Sequence, residues 1–128
     1  MIEYVLDATA LIALVAQESG SERIAELLEN SVVGAVNLAE TANKLLEKGF
    51  SAAEVRESLA KLELKIEDWT EAMAYRSAEF TRFNKSHGLS LGDRACLTVA
   101  KQLRITAVTS DSTWRRAPSL GVPIMIFR

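Results

Sequence analysis

Short apolar runs rich in β-branched residues alternate along the chain with stretches whose apolar positions recur at helical spacing. Ile2 to Leu6 and Val32 to Val36 read as strands. Helical patterns follow over Leu11 to Gln17, over Glu22 to Glu29, and over Leu38 to Lys48 with Gly49 as the stop. Ser51 and Glu54 form a capping-box signature, so a helix is expected from Ala52 to Glu63, with Val55, Leu59 and Leu62 on one face for core or interface. Leu64 to Ile66 is a short strand, Thr70 to Asn84 a long helix that Trp69 anchors, and Ser86-His87-Gly88 a turn. Ser90 caps a helix from Leu91 to Leu103, Thr106 to Thr109 is a strand, and Val122 to Phe127 is a last strand that Pro123 assigns to a sheet edge. This alternation predicts an α/β fold of one domain over residues 1–128, a three-layer α/β/α sandwich around a mostly parallel sheet.

Four isolated carboxylates fall at the junctions of that pattern. Asp7 ends the run Tyr4-Val5-Leu6, and Asp111 ends Ala107-Val108-Thr109-Ser110. Glu40 is placed in the first turn after the Val32 to Val36 strand, and Asp93 in the first turn of its helix. With right-handed crossovers all four junctions lie at the carboxyl edge of the sheet, where open α/β sheets bind ligands. Carboxylates within about 4 Å repel by roughly 4 kcal/mol per pair at an effective dielectric near 20. Proteins offset such repulsion with raised pKa values, with Lys or Arg, or with a hard divalent cation. Only Asp93 has an adjacent basic residue, Arg94, so a cation is the expected answer. Taken singly, each acid has a plainer use: a carboxylate in a first helical turn complements the helix dipole, and Ser90 to Asp93 reads as a capping box.

Composition narrows the metal and removes other chemistries. A chain of 128 residues that is 48% hydrophobic and 25% charged fits one domain with a real core. One cysteine, Cys96, and one histidine, His87, cannot build a His/Cys zinc cage, so oxygen ligands and hence Mg²⁺ or Mn²⁺ are favoured. His87 reads as a surface residue, Cys96 as a buried structural thiol at the helical spacing of its apolar neighbours, and Trp114 as core packing beside the cleft. No serine stands in a nucleophile-elbow context, and no Gly-rich loop precedes Lys-Ser/Thr. There is no apolar run of about 18 residues and no basic start of a signal peptide, so a soluble cytoplasmic protein without membrane contact is expected. The net charge of -2 hides an asymmetry: residues 1–64 carry 5 Lys/Arg against 11 Asp/Glu, residues 65–128 carry 10 against 6. A polyanionic partner would meet the second half, unless the signs mix on the folded surface.

The segments Leu6-Asp7-Ala8-Thr9-Ala10-Leu11-Ile12-Ala13-Leu14, Asn37-Leu38-Ala39-Glu40, Leu89-Ser90-Leu91-Gly92-Asp93-Arg94-Ala95-Cys96-Leu97 and Val108-Thr109-Ser110-Asp111 together resemble the four signatures of PIN-domain nucleases. More narrowly they resemble the VapC-type toxins of toxin–antitoxin pairs, in order and spacing over nearly the whole chain. The resemblance implies a PIN-like sandwich and an endoribonuclease that cuts single-stranded RNA. It implies that Asp7, Glu40, Asp93 and Asp111 bind Mg²⁺ or Mn²⁺ and orient water, with Thr9 and Thr109 as supporting hydroxyls. It further implies a homodimer neutralised by a small antitoxin. The departure is at Ser112-Thr113-Trp114, where many relatives carry a further acid, and it weakens a second metal position. In this scheme Arg94, Arg115 and Arg116 would hold flanking phosphates. Two other classes share strand-end acids: a Mg-dependent phosphotransfer or phosphatase domain, and a non-catalytic module whose acidic cleft captures a basic partner. The first lacks its paired acids and late lysine here, and metal-dependent turnover separates the second from an enzyme.

Overall fold

In the computed structural model, which describes residues 1–80, 88–116 and 121–128, strand β1 (Tyr4–Leu6) leads into helices α1 (Ala8–Ala16) and α2 (Ser21–Leu27). A short 3-10 turn (Leu28–Asn30) delivers the chain to β2 (Ser31–Gly34), followed by α3 (Ala35–Glu47), α4 (Ala52–Ala60), β3 (Ile66–Glu67) and α5 (Glu71–Glu79). Then come α6 (Leu91–Leu103), β4 (Thr106–Thr109), a 3-10 helix over Ser112–Arg116 and β5 (Ile124–Ile126). The five strands pair in parallel in the order β3-β2-β1-β4-β5.

Strand pleating divides the apolar residues between two cores, because successive side chains point to opposite faces. Val5, Val32 and Ala107 face one side, where they pack with Met73 and Phe80 around α5 and with Cys96, Leu97, Val99 and Ala100 of α6. Their neighbours Leu6, Val33 and Val108 face the other, with Leu11 and Ala13 of α1 and Ile24 of α2. The predicted three-layer sandwich with a parallel sheet follows from that division. A third cluster, Leu45 with Val55 and Leu59 and with Leu62 packed against it, joins α3 to α4 and puts the α4 stripe in a core. Cys96 and Trp114 are buried, as their apolar contexts predict.

Chain order reverses at β1: β2 and β3 lie on one side of it, β4 and β5 on the other. The carboxyl ends of β1 and β4 therefore flank the switch point, the usual crevice for a ligand. Asp7 directly follows β1, and Asp111 stands two residues past the end of β4.

Several boundaries differ from the sequence reading, and two of them move the site. Helix α1 begins at Ala8 rather than Leu11, because Asp7 itself is the N-cap and its Oδ1 accepts from the Ala10 N–H at 3.0 Å. Helix α3 begins at Ala35, so Val36 is helical and Glu40 lies in the second turn, not the first. Gly34 ends β2 close against α6, where an added Cβ would lie 3.2 Å from Val99 Cγ2. Helix α4 stops at Ala60, and Glu63 beyond it adopts a left-handed φ of 51°. Strand β3 covers only Ile66–Glu67, and β5 is an edge strand, in keeping with Pro123. Thr81 to Asn84 of the predicted long helix and Ser86-His87 of the predicted turn lie outside the described residues. Among the described residues no helix is long and apolar enough to cross a membrane.

Candidate functional site

Asp7 is the most buried acid of the chain's carboxyl edge, at 5% exposure. Two threonine hydroxyls tie it to β4. Thr9 Oγ1 donates to Asp7 Oδ1 at 2.6 Å and accepts from the Ser110 N–H at 3.0 Å. The Thr109 hydroxyl also bonds the Asp7 side chain, and its oxygen accepts from the Asp111 N–H at 3.1 Å. Burial pushes the Asp7 carboxyl up to about 6, against the opposing pull of the Thr109, Thr9 and Ala10 bonds, and the charge of Asp93 adds to the rise.

Glu40 reaches the same edge from α3. Its carboxylate lies against the first turn of α6 at Gly92, where a Cβ would sit 2.6 Å from Oε1 and 2.7 Å from Oε2. The approach depends on glycine at that position. Asn37, one turn earlier on α3, donates from Nδ2 to the Gly92 carbonyl at 3.0 Å and to Glu40 Oε1 at 3.4 Å. One turn later, Lys44 Nζ stands 3.8 Å from Glu40 Oε2. This corrects the expectation that only Asp93 has a basic companion: Lys44 lies four residues on from Glu40, a spacing that meets on a helix surface.

Asp93 performs the structural role that its position in the first turn of α6 predicts. Its N–H donates to Ser90 Oγ at 3.1 Å and its Oδ2 accepts from the Ser90 N–H at 2.9 Å, which completes the capping box. Burial nevertheless raises its carboxyl above the ordinary value, opposed by the Ser90 bonds and by the Lys44 charge, and the Asp111 charge raises it further. Asp111 Oδ1 accepts from the Thr113 N–H at 2.9 Å and from its hydroxyl at 2.6 Å, which starts the 3-10 helix. Arg94 Nε donates to the Ser90 carbonyl at 3.4 Å, Arg115 is exposed on the 3-10 helix, and the Arg116 side chain lies outside the described residues.

Electrostatics links the acids into one neighbourhood. Asp93 acts on Asp7, Asp111 acts on Asp93, and Asp7, Asp93 and Glu40 all push up the buried Cys96 thiol, whose largest cause is burial itself. The side chains do not form the tight quartet that the sequence suggests. Among the described residues no three His, Cys, Asp or Glu side chains come together as an ion-holding group. The reason is local: Asp93 turns to Ser90, Asp111 to Thr113, and Glu40 stands beside Asn37 and Lys44, each taking the nearest donors. The donor set still fits a hard divalent cation in kind, because it is all oxygen and carries surplus negative charge in a partly desolvated place. Asn37, Lys44, Gly92 and Thr113 are site neighbours that sequence reasoning misses. Asn37 and Lys44 carry a usable signal, since they stand three residues before and four after Glu40 on the same helix.

The fold recurs in solved structures of low sequence identity. VapBC2 from Rickettsia felis, bound to a DNA fragment from its promoter, aligns with a TM-score of 0.75 at 18% identity, covering 98% of each chain. DNA-bound VapBC from Salmonella typhimurium aligns at 0.69 and 20% identity, again over 98% of both. VapC20 of Mycobacterium tuberculosis, a sarcin-ricin loop cleaving toxin, aligns at 0.67 and 16% identity, over 82% of this chain and 87% of that one. No curated protein matches the sequence. The model of the PIN domain matches residues 4–120, which is most of the length, and the chain belongs to the PIN domain family.

Proposed function

We propose that the protein is a Mg²⁺- or Mn²⁺-dependent endoribonuclease that cuts single-stranded RNA with activated water, and that it is the toxin of a toxin–antitoxin pair. The observation that carries the reading is Asp7: a carboxylate held at the switch point by two hydroxyls, raised to about 6 by burial, and subject to the charge of Asp93. Membership of the PIN family and the likeness to VapBC complexes and to a sarcin-ricin loop cleaving toxin support the same choice.

In this reading Asp7, Glu40, Asp93 and Asp111 would hold the cation through carboxylate oxygens. Thr9 and Thr109 keep Asp7 from turning away. When bound, the cation polarises the phosphoryl oxygen, lowers the pKa of its water and steadies the leaving oxygen. Arg94, Arg115 and Arg116 bind phosphates on either side of the cut. The protein works as a homodimer, and a small cognate antitoxin places its tail in the acidic cleft. A protein nucleophile has no part in the scheme.

A mixed RNA pool incubated with Mg²⁺, with Mn²⁺ and with chelator, beside Asp7→Asn, tests it. Cleavage is expected only with metal and only in the unsubstituted protein. Cleavage that persists in excess chelator, or at full rate in Asp7→Asn, sinks the nuclease reading and favours the binding module.

A further inference from the structure

Asn37 is 1% exposed, the third residue of α3, and faces Glu40 across one helical turn. The two hydrogens of its Nδ2 have two acceptors, the Gly92 carbonyl and Glu40 Oε1, while its Oδ1 is buried with no donor. The partners dictate this orientation: with the amide turned over, Oδ1 would meet a carbonyl and a carboxylate, three acceptors together.

Buried acceptors without partners are uncommon, because such a group forfeits its bonds to water. An apolar side chain of similar size would fill this position without that loss, so packing alone does not call for an asparagine. The gain lies on the Nδ2 side. A lysine there would also donate to Glu40, but its charge would compete with a cation for the same carboxylate. A neutral amide orients the carboxylate without adding to the positive charge that Lys44 already places 3.8 Å from Glu40 Oε2. The Gly92 bond fixes the amide plane, and the second hydrogen then points at Oε1.

We propose that Asn37 is a positioning residue that aims the Glu40 carboxylate for a divalent cation. The proposal rests on the metal-nuclease reading above. It is tested by calorimetric titration of Mn²⁺ into the wild-type protein, Asn37→Ala, Glu40→Gln and the double variant, with metal-free melting curves to establish that each is folded. Asn37→Ala is expected to weaken Mn²⁺ binding by about tenfold to a hundredfold, the usual effect of removing a partner that orients a ligand. In the Glu40→Gln background the same change is expected to stay within about twofold, since Asn37 then has no carboxylate to aim. Asn37→Ser, too short to reach both acceptors, is read in the same way if the alanine variant does not fold. An equal loss in both backgrounds assigns Asn37 a general structural role and overturns the proposal, as does wild-type affinity in Asn37→Ala. A wild-type protein that binds no Mn²⁺ defeats the metal reading itself, whereas loss in Glu40→Gln without loss in Asn37→Ala defeats only the role of Asn37.

Discussion

Helices α4 and α6 begin with the same device. In α4 the Glu54 N–H donates to Ser51 Oγ at 3.1 Å and Glu54 Oε1 accepts from the Ser51 N–H at 2.8 Å. In α6 the corresponding distances, between Asp93 and Ser90, are 3.1 and 2.9 Å. The acids nevertheless move in opposite directions. At exposed Glu54 the Ser51 bonds dominate and lower the carboxyl below its ordinary value. At Asp93 burial outweighs two equivalent bonds, and the charge of Asp111 adds to the rise. A capping box is written by local sequence, but the packing around it decides whether its carboxylate lies below or above its ordinary pKa.

The largest expected effect breaks the pair apart. Asp93→Asn should lower RNA cleavage on the order of a hundredfold or more, and adding Glu40→Gln should subtract little further, because groups that act as a unit are not additive. Glu54→Gln should leave the rate unchanged. Cleavage time courses on one RNA with saturating Mn²⁺ compare all four proteins.

Stability against pH sharpens the same contrast, with opposite slopes for a raised and a lowered acid. The folded protein holds the Asp7 proton more tightly than the unfolded chain, so this contribution is full below about 3.8 and is lost as pH rises through about 6. The difference is worth roughly 3 kcal/mol at neutral pH. Metal-free Asp7→Asn should lack this decline between pH 4 and 6 and should melt on the order of 10 °C higher at pH 7. Glu54 works the other way: its contribution is present above 4.5 and is lost as pH falls through its lowered folded value. Denaturant melts across pH for Asp7→Asn and Glu54→Gln check both signs.

Gly92→Ala separates the cap from the site within α6. The new methyl would press on the Glu40 carboxylate, the far end of a flexible side chain, and leave the Ser90 box in place. The melting temperature should hold, since alanine suits a helix better than glycine, while Mn²⁺ affinity falls roughly tenfold. The smallest effect concerns Arg115, exposed beyond Asp111: Arg115→Ala should weaken RNA binding uniformly across sequences and reduce the salt slope by about one. Binding isotherms at several salt concentrations read this out.

Much of this was legible in the chain. The strand and helix alternation, the Ser51 and Ser90 boxes, and the strand-end positions of Asp7 and Asp111 all depend on short-range patterns that sequence displays directly. The start of α1 was misplaced because Asp7 serves as both strand end and N-cap, two uses that one residue does not advertise. The start of α3 was misplaced because a β-branched Val36 after an apolar run reads as strand, while packing makes it helical. The bonds that hold Asp111 to Thr113 and Glu40 near Lys44 are local contacts that compete with convergence of the acids. They explain why acids sharing one edge do not close into a cage. Asn37 stands within the Glu40 signature and at helical spacing from it, but its bond to Gly92, 55 residues away, is a tertiary contact that the sequence does not display.

The central claim is that tertiary context makes Asp93, and not Glu54, part of a divalent-cation site. Calorimetric titration of Mn²⁺ into the wild-type protein, Asp93→Asn and Glu54→Gln tests it most directly. The account predicts wild-type affinity in Glu54→Gln and a loss of at least about tenfold in Asp93→Asn. Equal affinity in all three proteins would contradict it.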